Sequence, residues 1–212
     1  VLVYDLEKNK KIKYIDFQKL YNSADCLANG ITMDENQNIY VTDSFRPVIY
    51  KIQAGSLKAS IFIANDKFKG SIYNLNGIEY DKKGFLLALQ MGTGKIYKID
   101  LNQRSVQEVL INDSFIGADG IIKLDDNYSF VIQAFELKNK SMTEGAFKLL
   151  SSNNNYNSAK VEKYFTTNAG NPTNGIVVKD TLYILNSWIG KYQFAKKDKD
   201  KFSILQIDLK YK

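Results

Sequence analysis

The chain has 212 residues, 44% of them hydrophobic, enough to bury a sizeable core and far from a disordered or collagen-like composition. Its formal charge of +6 arises from 29 basic residues set singly among 23 acidic ones, and even the run Lys196–Lys201 alternates in sign, so no basic stripe for nucleic acid stands out. A single cysteine, Cys26, excludes an internal disulfide framework, and the complete lack of histidine excludes a Ser-His-Asp triad, a Cys-His dyad and a His-ligated zinc site.

Tyr and Phe are abundant, Pro is scarce, and Val, Ile, Tyr and Phe recur in short runs broken by Asn, Asp and Gly. That pattern predicts strands and few helices. No apolar run is long enough to cross a membrane as a helix. Val1 opens in mid-strand without a preceding leader, so a segment upstream of it is expected. Val1–Asp5 and Lys11–Phe17 alternate as a hairpin, read here as the two outer strands of an incomplete blade over residues 1–20.

Four signatures follow along the chain: Ala28-Asn29-Gly30-Ile31, Leu75-Asn76-Gly77-Ile78, Ala118-Asp119-Gly120-Ile121 and Thr173-Asn174-Gly175-Ile176. Their glycines are 47, 43 and 55 residues apart, the period of a four-stranded propeller blade and too long for a leucine-rich or ankyrin repeat. After each Gly-Ile come a short strand, a polar turn and further apolar strands. Repeat one runs through Ile39–Asp43, Val48–Ile52 and Ala59–Ala64. Repeat two has Phe85–Leu89, Lys95–Ile99 and Val106–Ile111, and Ile49-Tyr50-Lys51-Ile52 is nearly repeated as Ile96-Tyr97-Lys98-Ile99. Repeat three carries an insertion over Phe135–Gly145 before Ala146–Leu150 and Val161–Phe165. Repeat four has Ile176–Val178, Leu182–Asn186, Tyr192–Phe194 and Ser203–Leu209. The expected fold is therefore an all-β propeller of four-stranded blades at 28–70, 75–115, 118–168 and 173–209. That makes about four and a half blades of a ring expected to hold about six, the remainder supplied by further residues or a partner chain.

Strands that open propeller blades line the central channel, so Asn29, Asn76, Asp119 and Asn174 should converge near one mouth. One carboxylate and three amide oxygens suit Ca²⁺, a hard cation that takes oxygen ligands. The alternative for each signature is a turn entering a strand, since Asn, Asp and Gly are turn residues. Gly92-Thr93-Gly94-Lys95 reads as a tight hairpin and lacks the spacing of a phosphate loop. Arg46, Gln90, Gln133 and Trp188, in loops or at strand ends after the signatures, either shape a substrate pocket or pack the scaffold.

The stretch from Ala28-Asn29-Gly30-Ile31 through Tyr40-Val41-Thr42-Asp43-Ser44, and Asn76-Gly77-Ile78 through Gly84-Phe85-Leu86, resembles the gluconolactonase and regucalcin-like (senescence marker protein type) propellers. Their wider superfamily includes paraoxonases and diisopropylfluorophosphatase. The resemblance extends over essentially the whole chain through short motifs. It implies a channel-mouth calcium held by a first-blade Glu and by Asn and Asp residues of later blades, an order matched by Asn29, Asn76 and Asp119, with Asn174 in the next blade. The first-blade Glu has no counterpart here, and without histidine the paraoxonase mechanism does not transfer. The resemblance further implies metal-dependent hydrolysis of a lactone or similar ester by a soluble, exported protein. Asp119 would then touch the metal and activate water or attack. The competing expectation is a non-catalytic propeller that binds a protein or glycan at its channel mouth.

Overall fold

The fold comes from a computed structural model, and the structure describes residues 1–21, 25–71, 73–138, 141–143, 145–153, 155–166, 170–187 and 202–210. Nineteen strands and two single-turn 3₁₀ helices make up the regular structure of these residues. The strands are β1 (Leu2–Asp5), β2 (Lys10–Tyr14), β3 (Ala28–Met33), β4 (Ile39–Asp43), β5 (Val48–Ile52), β6 (Ala59–Ala64), β7 (Leu75–Asp81), β8 (Phe85–Gln90), β9 (Lys95–Asp100) and β10 (Val106–Glu108). They continue with β11 (Ala118–Lys123), β12 (Tyr128–Gln133), β13 (Glu136–Lys138), β14 (Ser141–Thr143), β15 (Ala146–Ser152), β16 (Ala159–Thr166), β17 (Pro172–Val178), β18 (Thr181–Asn186) and β19 (Ser203–Asp208).

Three sheets are antiparallel four-stranded meanders, β3-β4-β5-β6, β7-β8-β9-β10 and β11-β12-β15-β16, and a fourth is β17-β18-β19. Together they form four consecutive blades of a β-propeller, with the hairpin β1-β2 ahead of the first. The insertion in repeat three is itself a short hairpin, β13-β14. In blade four, Thr181–Asn186 pairs directly with Ser203–Asp208, so β19 is the third strand of its sheet and its edge among the described residues. Tyr192–Phe194, Trp188 and the charge run 196–201 lie outside the described residues.

Burial follows from the stacking of blades. One core cluster joins Tyr40, Ile49 and Phe62 of blade one to Leu75, Ile78 and Leu86 of blade two. A second joins Leu87 and Val109 to Ala118, Ile121 and Val131, and a third joins Phe130 and Ile132 to Leu182 and Ile184. A sheet covered on both faces has no polar side, so β8 reads Phe-Leu-Leu-Ala-Leu-Gln and every residue in it is buried. At the ends of the arc one face is bare. There β3 and β19 alternate between exposed and half-buried positions. The hairpin covers part of the outer side of blade one, where Val3, Ile15 and Phe17 pack on Val41, Val48 and Tyr50.

Arg46 fastens that junction. Its guanidinium is fully buried and donates to the carbonyls of Asp25 (2.6 Å) and Phe17 (3.0 Å) and to the Tyr50 hydroxyl (3.2 Å). The buried Asp43 carboxylate accepts from the Tyr50 hydroxyl (2.8 Å) and from the backbone N–H groups of Leu27, Phe45 and Arg46.

Candidate functional site

The signatures do not sit in turns. Each lies within the innermost strand of its blade, at a β-bulge: the register shifts between Ala28 and Ile31, Leu75 and Ile78, Ala118 and Gly120, and Pro172 and Asn174. The glycine is required by close approach of the next blade. A Cβ on Gly30 would lie 2.4 Å from the Asn76 carbonyl oxygen, one on Gly77 2.4 Å from that of Asp119, and one on Gly120 2.7 Å from that of Thr173. Each signature thus packs on the following one, which sets Asn29, Asn76, Asp119 and Asn174 at equivalent places around one rim.

A hydrogen-bonded belt follows this rim. The N–H of Ser44 donates to the Leu27 carbonyl (2.8 Å), that of Asn74 to Ser44 (2.8 Å), that of Met91 to Asn74 (3.1 Å), that of Gly117 to Met91 (3.0 Å), and that of Ala134 to Gly117 (2.9 Å). The Asn171 side-chain amide then donates to the Ala134 carbonyl (2.7 Å), and the Ser187 N–H to the Asn171 carbonyl (2.9 Å). The links Asn74 to Ser44, Gly117 to Met91 and Asn171 to Ala134 cross between blades. Beside the packed cores, they satisfy backbone groups across the blade junctions and help fix the spacing of the rim.

On this frame the four candidate ligands differ in environment. Asn76 is buried, and its amide Nδ2 lies 3.4 Å from the Met91 sulfur. Asp119 stands beside it; burial pushes the Asp119 carboxyl up to about 7, although a hydrogen bond with Asn76 works the other way. Asn29 is exposed and donates to the Ser44 hydroxyl (2.9 Å), so it uses a donor and keeps its amide oxygen. Asn174 is exposed and accepts from the Gly175 N–H (2.8 Å). Among the described residues no group of three or more His, Cys, Asp and Glu side chains is placed to hold a metal ion. A cation at this rim would rest on one carboxylate and on amide oxygens. The desolvated Asp119 carboxyl fits that role, because among the described residues no basic side chain offsets its charge.

Arg46, Gln90 and Gln133 serve the scaffold. Gln90 and Gln133 are buried and occupy equivalent places with Asp43, opposite Leu75, Ala118 and Ala28 at the ends of the second strands. Gln90 donates to the Tyr73 carbonyl (3.2 Å) and accepts from the Thr93 N–H (2.5 Å), pinning the expected tight hairpin, where Gly94 has φ of +71°. Gln133 donates to the Ile116 carbonyl (3.0 Å). None of the three lines the central cavity.

That cavity, about 340 Å³ and partly open, is lined by inner strands of all four blades, from Gly30 and Ile31 to Asn174–Val177. It holds a residue that the repeat pattern did not single out, Glu79, three positions after Asn76. Burial pushes the Glu79 carboxyl up to about 7, against the pull of nearby Lys123. Lys123 also lines the cavity, but its ammonium pairs with the fully buried Asp81. The sequence signal for Glu79 was available: it is the one charged side chain at a position held by Thr32, Ile122 and Val177 in the other repeats.

No family model matches the chain, and no curated protein matches it. Several solved structures share its fold at low identity. Virginiamycin B lyase from Staphylococcus aureus superposes with a TM-score of 0.56 at 14% identity, over 84% of this chain and 53% of that one. A streptogramin B lyase gives 0.53 at 14% identity, over 84% and 66%. A chain of a nidogen/laminin complex gives 0.58 at 12% identity, over 97% and 84%. The chain therefore spans about half the length of virginiamycin B lyase. The shared feature is the propeller.

Proposed function

We propose that the protein is a calcium-dependent hydrolase of the lactonase or esterase type, acting on a small molecule at the channel mouth. The observation that supports this reading is Asp119: a desolvated carboxyl on a rigid rim, beside the Asn76 amide, pushed up to about 7. A carboxyl in that range is suited to exchange protons with water near neutrality. Asn76 and Asp119 form the centre of the cation site, and Asn29 and Asn174 extend its ring of oxygens. A bound calcium would supply Lewis-acid polarisation of a carbonyl. The role of this chain's residues is to hold the ester against the rim and, at the Asp119 carboxyl, to take a proton from the attacking water. Further residues or a partner chain bearing propeller blades would complete the ring around the site.

A second reading is favoured by a different observation. Phe45, beside Ser44, is 47% exposed and stacks on Tyr73, with ring centroids 6.1 Å apart and planes 11° from parallel. An aromatic pair next to the rim suits a non-catalytic propeller that binds a protein or glycan. Similar folds do bind partners: one similar structure is YCF48 bound to D1 peptide.

Calorimetry with Ca²⁺ on the wild type and Asp119→Ala, with thermal melts in the presence and absence of chelator, separates the two. Binding that is lost in the variant, with a chelator-sensitive melt, supports the hydrolase and directs a lactone and ester screen. A folded wild type that takes up no calcium refutes it in favour of the binding propeller.

A further inference from the structure

Three of the four signatures join Asn to Gly, at Asn29-Gly30, Asn76-Gly77 and Asn174-Gly175, and the fourth is Asp119-Gly120. An Asn-Gly pair carries its own reaction partners. The side-chain amide carbon is an electrophile, and the backbone nitrogen of glycine, with no Cβ beside it, is a nucleophile within reach. The fold treats the three pairs differently. At Asn29-Gly30 the glycine N–H donates to the Thr42 hydroxyl (2.8 Å) and the asparagine amide to the Ser44 hydroxyl (2.9 Å), so the two groups are tied to separate partners. Asn76 is buried, with its amide nitrogen 3.4 Å from the Met91 sulfur. At Asn174-Gly175 the glycine N–H donates to the Asn174 amide oxygen itself (2.8 Å), and Asn174 is exposed on the inner strand of blade four. Blade three sets that side chain in place: its oxygen lies 2.9 Å from where a Cβ on Gly120 would stand, space that glycine leaves open.

We propose that Asn174-Gly175 is a site of spontaneous deamidation in the folded protein. The Gly175 nitrogen bonds to the Asn174 amide carbon and gives up its proton, the bond from that carbon to the amide nitrogen breaks, and ammonia leaves with the proton. Water then opens the cyclic imide at either carbonyl and gives aspartate or isoaspartate. The aspartate product turns this signature into Asp-Gly, the form that blade three already carries in Asp119-Gly120, and sets a second carboxylate on the rim. The reaction goes beyond the hydrolase reading and is independent of it, since neither a cation nor a substrate takes part.

Peptide mapping by mass spectrometry on the whole chain, incubated folded at mildly alkaline pH, tests it. The Asn174 peptide should gain the mass of deamidation about tenfold or more faster than the Asn29 and Asn76 peptides, a factor equal to about 1.4 kcal/mol of barrier. The rate should rise with pH, because the attacking nitrogen must lose its proton. In denaturant the three sites should react at similar rates. Asn174→Gln should abolish the mass gain in its peptide, and mass gain that persists there would place the reaction on another residue and overturn the proposal. A native Asn174 rate no higher than those of Asn29 and Asn76 overturns it too. So does a ranking that survives unfolding, since it would belong to the local sequence and not to the fold.

Discussion

Gly77 shows what the signature glycines do. Its backbone lies outside the left-handed region, so conformational freedom is not the reason for it; the reason is the Asp119 carbonyl oxygen 2.4 Å from where a Cβ would stand. Gly55 is the opposite case, with φ of +70° and no atom within 4 Å of a Cβ. Gly77→Ala must therefore push two blades apart, at a cost of about 1–3 kcal/mol or more. Gly55→Ala incurs only the left-handed conformation, roughly 1 kcal/mol. Denaturant melts should rank the two in that order, and a Gly77→Ala loss no larger than that of Gly55→Ala would show that the inner strands adjust freely. Asn76, Asp119 and Glu79 gain their environments from the same close approach.

Between elements, the rim belt and the Arg46 cluster do different work. The belt joins neighbouring blades through backbone groups at Asn74–Ser44 and Gly117–Met91, and through a side chain at Asn171. The Arg46 cluster joins the segment after the β1-β2 hairpin to blade one through a buried pair of charges on blade one, Arg46 and Asp43, with the Arg46 guanidinium donating to the carbonyls of Phe17 and Asp25. Removing one partner of such a pair strands the other. Arg46→Ala should cost roughly 3–5 kcal/mol of stability by chemical denaturation. A cost below about 1 kcal/mol, the scale of an exposed pair, would mean that water reaches Asp43.

At the scale of the molecule, the arc has covered interfaces between blades and bare faces at its ends. Ile184 belongs to the core between blades three and four, whereas Ile176, in the neighbouring strand of the same blade, is 60% exposed. Ile204 on the same sheet is 64% exposed, and Ile31 and Met33 at the other end of the arc are both 55% exposed. Ile184→Ala should cost about 2–5 kcal/mol, while Ile176→Ala should stay within about 0.5 kcal/mol for the chain alone. If Ile176→Ala proved as costly as Ile184→Ala, that face would be covered in solution, as a further blade would cover it.

Repeat period and strand alternation were legible in the sequence because they are local. Ala59–Ala64 and Val48–Ile52 form strands with the bounds their alternation predicts, and the Gly spacing marks successive blades correctly. The sequence by itself also determined that no histidine chemistry operates within this chain. Three matters were decided only by the tertiary structure. Asn-Gly reads as a turn in isolation, yet at Asn29-Gly30 it became a bulge in a strand, because the competing demand came from the Asn76 carbonyl in the next blade. A linear reading leaves Gln90 and Gln133 as either pocket or packing residues, and the structure buries both as hydrogen-bonding partners of their own loops. Glu79 resembles an ordinary strand carboxylate until the inner strands of the other three blades line a cavity beside it. Its desolvation comes from those neighbours, and it exists only when the blades stand side by side.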